Sequence, residues 1–271
     1  MKEKKEYKYL ENYFNWVQSE GKLYFTLTEL KNEFSEYSLN SIQMNLKRIN
    51  KQQKIKHIMK GFYVIIPPEY SYQKMLPPEL FIDALFKFLG RKYYVGLLSA
   101  AIYHGASHQQ PQEYFVMIEK PAIRSTKVES LKINYIVNSD LKKSKVEDKK
   151  TRTGYMKVSK PEQTILDLIR FQNRIGGLNR AVTVIYELVE EMNETELGKV
   201  ILDEEVNAVL QRLGYLLEVV LQREDLSNVI SEYLRHKRIF RVPLKPSINK
   251  KGFLVNTKWK IIENHKIGID F

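Results

Sequence analysis

The sequence predicts an α+β protein of two domains: a small N-terminal domain of helices and a hairpin, and a larger mixed α/β domain that is rich in helices. The length of 271 residues exceeds what one minimal domain needs. Residues 67–79 (PPEYSYQKMLPPE) carry two pairs of prolines, and proline interrupts the hydrogen bonding of helices and strands. We therefore predict a boundary near Tyr70, with residues 1–70 in the first domain and 71–271 in the second.

The N-terminal domain is predicted to contain three short helices. Apolar side chains in residues 6–18 follow the helical spacing i, i+3, i+4 and i+7, and they are Leu10, Tyr13, Phe14 and Val17. After a strand-like run, LYFTL, Thr28 is placed to cap a short second helix. Ser38 or Asn40 can cap a third helix, which is predicted to run to about Gln53.

A β-hairpin is predicted to follow the third helix. The β-rich runs KIKHIM and FYVII flank the dipeptide Lys60-Gly61. Glycine accepts the positive φ that a tight turn requires. Three short helices followed by a hairpin are the element order of a winged helix-turn-helix domain.

The second domain is predicted to mix helices and strands. Two strongly apolar segments, ELFIDALFKFLG and YYVGLLSAAIYHG, have a helical period and end in glycine. The β-rich runs EYFVMI, LKINYIV and GYMKVS follow, and Ser159 and Pro161 then open a helix, PEQTILDLIRF. Residues 178–236 are predicted to be helical almost throughout, and the tail beyond them is basic and strand-like.

The net charge of +12 is unevenly distributed along the chain. Basic residues outnumber acidic ones by 13 to 8 in residues 1–75, by 12 to 4 in 120–160 and by 10 to 2 in 235–271. Acidic residues prevail by 14 to 6 in 161–234. Segregation of this size favours a polyanionic partner, most often nucleic acid, over a charge imbalance kept for solubility.

Some classes of protein are excluded by what the sequence lacks. There is no cysteine, which excludes disulfides, thiolate nucleophiles and Cys-based zinc sites. The first residues lack the apolar segment of a signal peptide, and no run of about 18 apolar residues occurs. A soluble cytoplasmic protein is therefore expected.

Residues 38–66 contain no acidic side chain, although 28% of the chain is charged. The predicted third helix has an apolar face formed by Leu39, Ile42, Leu46 and Ile49. Its opposite face holds the predicted DNA-reading residues, which are Asn40, Ser41, Met44, Lys47, Arg48 and Lys51. His57 and Lys60 on the hairpin are predicted to lie along phosphates. An ordinary solvated face mixes both signs of charge, so we favour DNA binding over a winged helix that only docks to protein.

Two weaker patterns point to a metal ion. His104 and His108 are four residues apart, the spacing of two ligands on one helix face, but a helix-end role is favoured because no third ligand is evident. Asp140, Glu147 and Lys149 match the short acidic and lysine pattern of a metal-dependent nuclease, in a charge run where such matches arise by chance. We predict no catalytic residue, no bound metal and no cofactor.

The basic segments 120–160 and 235–262 are predicted to give the second domain a positive face of its own. Its candidate residues are Arg124, Lys127, Arg152, Arg235, Arg238, Arg241, Lys250 and Lys251. We expect this face to follow the DNA backbone beyond the first domain or to meet an RNA.

Several apolar and aromatic blocks occur in a distinctive order, and they are GFYVIIPPEY, YYVGLLSAAIYHGASHQQPQEYFVMIEKP, YMKVSKPEQTILDLI, LQRLGYLLE and NTKWKIIEN. In that order, over nearly the full chain, they resemble the AbiEi-type antitoxins of type IV toxin–antitoxin systems, which act in abortive infection, a form of phage defence. The resemblance implies a winged-helix repressor that binds inverted repeats in double-stranded DNA and controls its own operon. It also implies a C-terminal domain that counteracts a nucleotidyltransferase-like toxin and need not bind it stably. The alternatives are a nuclease that its winged helix delivers to nucleic acid and a protein-docking adaptor.

Overall fold

The structure, a computed structural model, describes residues 9–106 and 113–268. It confirms the mixed α+β class, because helices alternate with strands that form three separate sheets among these residues. The N-terminal elements are α1 Leu10–Ser19, β1 Tyr24–Thr26, α2 Leu27–Glu33, α3 Leu39–Lys51, β2 Ile55–Met59 and β3 Phe62–Ile65. The three strands form an antiparallel sheet in the order β1-β3-β2.

The second and third helices begin at side-chain caps. Thr26 caps α2: its hydroxyl accepts a hydrogen bond from the Glu29 N–H at 3.1 Å, and the Glu29 carboxylate accepts one from the Thr26 N–H at 2.7 Å. The prediction of Thr28 as this cap was wrong, because the reciprocal pair requires the threonine three residues before the glutamate. Ser38 caps α3 by accepting a hydrogen bond from the Ser41 N–H at 3.2 Å. Of the two predicted caps, Ser38 and Asn40, the first is therefore confirmed.

The larger part contains a six-stranded mixed sheet in the order β6-β7-β5-β4-β9-β8. The β5–β7 and β4–β9 pairs are parallel, and the other pairs are antiparallel. The elements are α4 Ile82–Leu89, β4 Tyr93–Val95, α5 Leu97–Tyr103, β5 Glu113–Ile118, β6 Thr126–Val128, β7 Leu131–Val137, β8 Val146–Thr151, β9 Gly154–Ser159, α6 Pro161–Arg170, α7 Leu178–Leu188, α8 Glu194–Ile201, α9 Asn207–Tyr215 and α10 Glu224–Arg235.

Three of these strands were not predicted. β6 lies outside the predicted β-rich runs. The segment YYVGLLSAAIYHG was predicted as one helix, but its first three residues form β4, which is buried on both faces and so lacks a strand-like alternation. The charged run VEDKKT also lies outside the predicted β-rich runs, but it forms β8 at the edge of the sheet. An edge strand accepts charged side chains because much of it faces solvent.

Both faces of the six-stranded sheet are covered. Tyr94 and Met117 lie in a core that the sheet shares with helices α5 to α10. Tyr93 and Val95, on the opposite face, lie in a second core with α4 and with the β2–β3 hairpin. The fully buried ring of Phe62, on β3, belongs to this second core, and so the N-terminal part packs directly against the larger sheet.

An ion pair also joins the two parts beside the hairpin. β2 and β6 are neighbours, and the buried Lys56 ammonium on β2 pairs with the Glu129 carboxylate, which follows β6. The amide oxygen of Gln53 accepts a second hydrogen bond from Lys56. The hydrogen bond from Lys56 holds the pKa of Glu129 below its usual range. A shared core and a paired charge therefore fix the orientation of the hairpin relative to the larger sheet.

The C-terminal tail forms a small sheet that docks on α9. Its strands are β10 Val242–Pro243, β11 Val255–Asn256 and β12 Ile261–Ile262, in the order β10-β12-β11. Trp259 is only 1% exposed, and its indole N–H donates to the Glu218 carboxylate at 3.0 Å. The Gln211 amide on α9 donates to the carbonyls of Phe240 and Trp259, both at 2.8 Å. These contacts tie the tail to the helical layer at defined points.

A polar network lies buried between the sheet and α6. Asp167 accepts hydrogen bonds from the Tyr94 hydroxyl at 2.7 Å and from the Gln163 amide at 3.0 Å. Asn138, which follows β7, donates to the Tyr94 hydroxyl at 3.0 Å. Burial raises the pKa of Asp167 to about 6, although both hydrogen bonds act in the opposite direction.

We expect Asp167 to stabilise the fold at acid pH relative to neutral pH. Its pKa of about 6 in the folded protein lies above the ordinary value of 3.8, so the folded chain takes up this proton first. The contribution of this proton to the free energy of unfolding is fully present below pH 3.8, the ordinary pKa, and is lost as the pH rises through about 6. Urea titrations should show that wild type gains about 1 kcal/mol relative to Asp167→Asn between about pH 7 and about pH 5. A pH-independent difference between the two proteins would contradict this account.

Candidate nucleic-acid interface

Helix α3 separates a buried apolar face from an exposed polar one. Ile42, Leu46 and Ile49 are each at most 2% exposed and pack in the N-terminal core. Leu39, predicted to share that face, is 41% exposed, because it is the first residue of the helix and lies at the margin of the core. The apolar stripe is therefore one residue shorter than predicted.

The opposite face of α3 exposes the predicted DNA-reading side chains. Asn40, Lys47, Arg48 and Lys51 are exposed, Ser41 is half-buried, and Met44 is 71% exposed. An apolar side chain this exposed is suited to contact with a partner such as a thymine methyl group. Sequence reasoning missed Gln43, which is also exposed and lies four residues before Lys47. That spacing was the available signal.

The basic side chains of this face have no acidic partner among residues 9–106 and 113–268. No salt bridge there involves Lys47, Arg48, Lys51 or Lys60, whereas the neighbouring Lys54 pairs with Glu11 at 3.0 Å. Their charge remains available to a polyanion. Beside them, α3 and α1 border a cavity of about 590 Å³ whose lining includes Ser41, Asn45 and Arg48.

The β2–β3 hairpin carries the remaining two predicted DNA-binding residues. Lys60 lies at the exposed turn next to Gly61, whose φ of +81° fits the predicted turn role of glycine. His57 is exposed overall, with its ring centroid 4.9 Å from that of Tyr63, and partial burial of the ring lowers its pKa below the usual 6.5. Lys60 is therefore the main source of positive charge on the hairpin.

The eight candidate residues of the second positive face lie in separate places. Arg124 and Lys127 are exposed at β6, next to the hairpin. Arg152 lies at the β8–β9 turn, at the opposite edge of the six-stranded sheet, where it pairs with Glu69 at 3.1 Å. Of these three residues, Arg124 and Lys127 can therefore extend the surface formed by α3 and the hairpin, and Arg152 cannot.

The other five residues belong to the tail. Arg235, Arg238 and Arg241 are exposed near the end of α10 and the start of β10. Lys250 and Lys251 are exposed in the loop between β10 and β11. The side-chain amide of Asn264, just after β12, donates hydrogen bonds to the carbonyls of Ile248 and Asn249 and so holds this loop near the end of β12. The tail thus presents two distinct basic regions.

The residues of the two metal-like patterns have other contacts. The Nε2 atom of His104 lies 2.7 Å from the Ser159 carbonyl oxygen, and His108 lies outside the described residues. Glu147 pairs with Lys149 at 2.8 Å, and Asp140 lies 3.6 Å from the Arg170 guanidinium. In the described parts of the chain, no group of three His, Cys, Asp or Glu side chains is arranged to hold a metal ion. The same residues include no helix long and apolar enough to span a bilayer.

These features define an α+β protein in which a small helical part presents an exposed basic helix and packs on a larger mixed α/β part. Residues 94–219 match the family model described as the AbiEi antitoxin C-terminal domain. The match confirms the resemblance to AbiEi-type antitoxins over these residues and supports an antitoxin role in a toxin–antitoxin system. The matched range begins in β4 and ends just after α9.

A solved structure shares the fold. The chain is similar to the crystal structure of the RV2827C protein from Mycobacterium tuberculosis, with a TM-score of 0.66 and 15% sequence identity. The similarity covers 93% of this chain and 90% of that one. No curated protein sequence matches the chain.

Proposed function

We propose that the protein is a DNA-binding antitoxin that represses its own operon through an N-terminal winged helix-turn-helix. Residues 1–70 are the DNA-binding domain in this proposal, with α3 as the helix that enters the major groove and the β2–β3 hairpin as the wing. Residues 71–271 are the antitoxin domain, which counteracts a nucleotidyltransferase-like toxin. Because operator binding requires access to the chromosome, we place the protein in the cytoplasm.

The observation that carries DNA binding is the exposed, acid-free face of α3. Phosphate repels carboxylates, so a surface that follows DNA excludes them, whereas an ordinary solvated helix mixes both signs. In the proposed arrangement, Asn40, Ser41 and Met44 read base edges, and Lys47, Arg48, Lys51 and Lys60 contact phosphates or guanines. His57 contributes a hydrogen bond to the DNA backbone.

The antitoxin role is supported by the family match over 94–219, which lies within the proposed second domain. Type IV antitoxins need not bind their toxins stably, so the toxin is proposed as a functional partner. No catalytic role is proposed for any residue, because Asp140, Glu147 and Lys149 are engaged in the separate ion pairs described above.

Binding to the DNA upstream of the protein's own gene tests the proposal. Fluorescence anisotropy across a salt series should give a slope of log K against log salt of about −3.6 per chain, since four cations each release about 0.9 counterions. Arg124 and Lys127 make the slope steeper if the backbone passes β6. A salt-independent affinity would favour a protein-docking adaptor, and cleavage of plasmid DNA or RNA with magnesium would favour the nuclease.

A further inference from the structure

A basic cavity lies at the junction of α10 and the tail. Its volume is about 270 Å³, and four of the residues that line it are basic: Arg235, Lys237, Lys258 and Lys260. Trp259 also contributes to the lining while remaining 1% exposed, so the cavity rests on a fixed part of the core. This region lies outside the range 94–219 that matches the antitoxin family model.

The positive charge of the cavity is only partly neutralised. Arg235 pairs with Glu232 at 2.6 Å, and Lys258 pairs with Glu218. Lys260 donates to the carbonyl of Ile239 at 3.1 Å, a contact that leaves its charge unopposed. The Nζ atom of Lys237 lies 5.0 Å from the ring centroid of Tyr233, a contact that does not neutralise its charge. An anionic ligand would therefore meet an excess of positive charge.

An exposed aromatic ring lies beside the cavity. Phe240, one residue beyond Ile239 of the cavity lining, is 62% exposed, and the Arg238 guanidinium carbon lies 5.1 Å from its ring centroid. The backbone carbonyl of Phe240 accepts a hydrogen bond from the buried Gln211 side chain at 2.8 Å. The ring is thus exposed to solvent while its backbone is fixed, as a stacking platform requires.

We propose that this cavity and Phe240 bind a single-stranded nucleic acid, with phosphates at Lys237 and Arg238 and an unstacked base on the phenyl ring. A base on an open strand offers a free face for stacking, and a phosphate-binding groove beside an aromatic side chain is the usual design of single-strand sites. In a duplex the bases are already stacked on each other, so the ring would find no partner. The site is separate from the operator surface on α3 and does not depend on it.

Anisotropy of labelled oligonucleotides with the full chain tests this site. The probes are oligouridine and oligothymidine of about 12 nucleotides, together with a duplex of the same length that lacks the operator sequence. Phe240→Ala should weaken oligouridine binding by about 5- to 100-fold, the range found when a stacked aromatic is removed. The pair Lys237→Glu with Arg238→Glu should weaken oligouridine binding by at least about 10-fold and make the remaining binding less dependent on salt.

The matched control is the pair Lys250→Glu with Lys251→Glu, which makes the same charge change at the other basic region of the tail. This control should bind oligouridine within about twofold of wild type, because its residues do not border the cavity. Equal losses in the two charge pairs, or wild-type affinity in Phe240→Ala, would overturn the proposal. So would duplex binding as tight as single-strand binding when both are measured with the Arg48→Glu chain, in which the duplex-binding surface of α3 is disabled. Binding of either oligouridine or oligothymidine supports the proposal. The ratio of their two affinities tells whether the site prefers RNA or DNA. Arg48→Glu should leave this binding unchanged, so failure here is distinct from failure at the operator.

Discussion

Replacing Arg48 with glutamate is expected to abolish operator binding while the fold stays intact. Arg48 lies on the exposed face of α3 and takes part in no salt bridge among the described residues, so its removal breaks no internal contact of that kind. The variant loses a contact to phosphate or guanine and places a carboxylate against the DNA backbone. A loss of at least about 100-fold in operator affinity is expected at physiological salt.

Lys142→Glu is the matched control for this variant, since it makes the same charge change at an exposed loop residue that follows β7. It should bind the operator within about twofold of wild type, and both variants should show wild-type thermal unfolding by circular dichroism. Wild-type affinity in Arg48→Glu would rule out α3 as the reading helix. Equal losses in both variants would point to net charge alone.

The second large effect is expected at Gly214, where α9 meets Trp259. A Cβ atom at this position would lie 2.1 Å from Cζ3 of the indole ring, far inside van der Waals contact. The ring is buried and held by Glu218, so it has no room to move aside. Gly214→Ala should therefore lower the free energy of unfolding by about 2 to 3 kcal/mol and loosen the docked tail. Urea denaturation and proteolysis of the tail measure the two effects.

Gly198→Ala provides the control, because Gly198 is also inside a helix, α8. The nearest atom to an added Cβ there is Val229 Cγ1 at 3.9 Å, an ordinary contact. Alanine has the higher helix propensity, so this variant should gain about 0.5 to 1 kcal/mol. If Gly214→Ala were as stable as Gly198→Ala, the close packing of Trp259 on α9 would be wrong.

The fold could be predicted from sequence where one physical signal dominated. The apolar period located α1 and α3, and Gly61 located the hairpin. β4 was hidden because burial on both faces removes alternation, and β8 because an edge strand tolerates charge. Both errors arose where the position of a strand within its sheet, rather than its own residues, decided its composition.

The candidate sites also divide into features that local sequence predicts and features that it does not. The exposed face of α3 follows from helical spacing, which local sequence specifies. The Lys56–Glu129 pair joins residues 73 positions apart, and no local pattern reports such a pair. The tail was predicted as one basic face with residues 120–160, yet its small sheet places Arg238 and Lys250 at different ends. Only tertiary pairing decides that arrangement.

The central claim is that operator binding and antitoxicity reside on different surfaces, and co-expression with the proposed nucleotidyltransferase-like toxin tests it most directly. Growth is measured in cells that carry the toxin with wild type or with Arg48→Glu, at matched protein levels. The account predicts that both proteins restore growth equally, although the variant no longer binds the operator. Failure of Arg48→Glu to restore growth, with wild type active, would contradict the separation of the two activities.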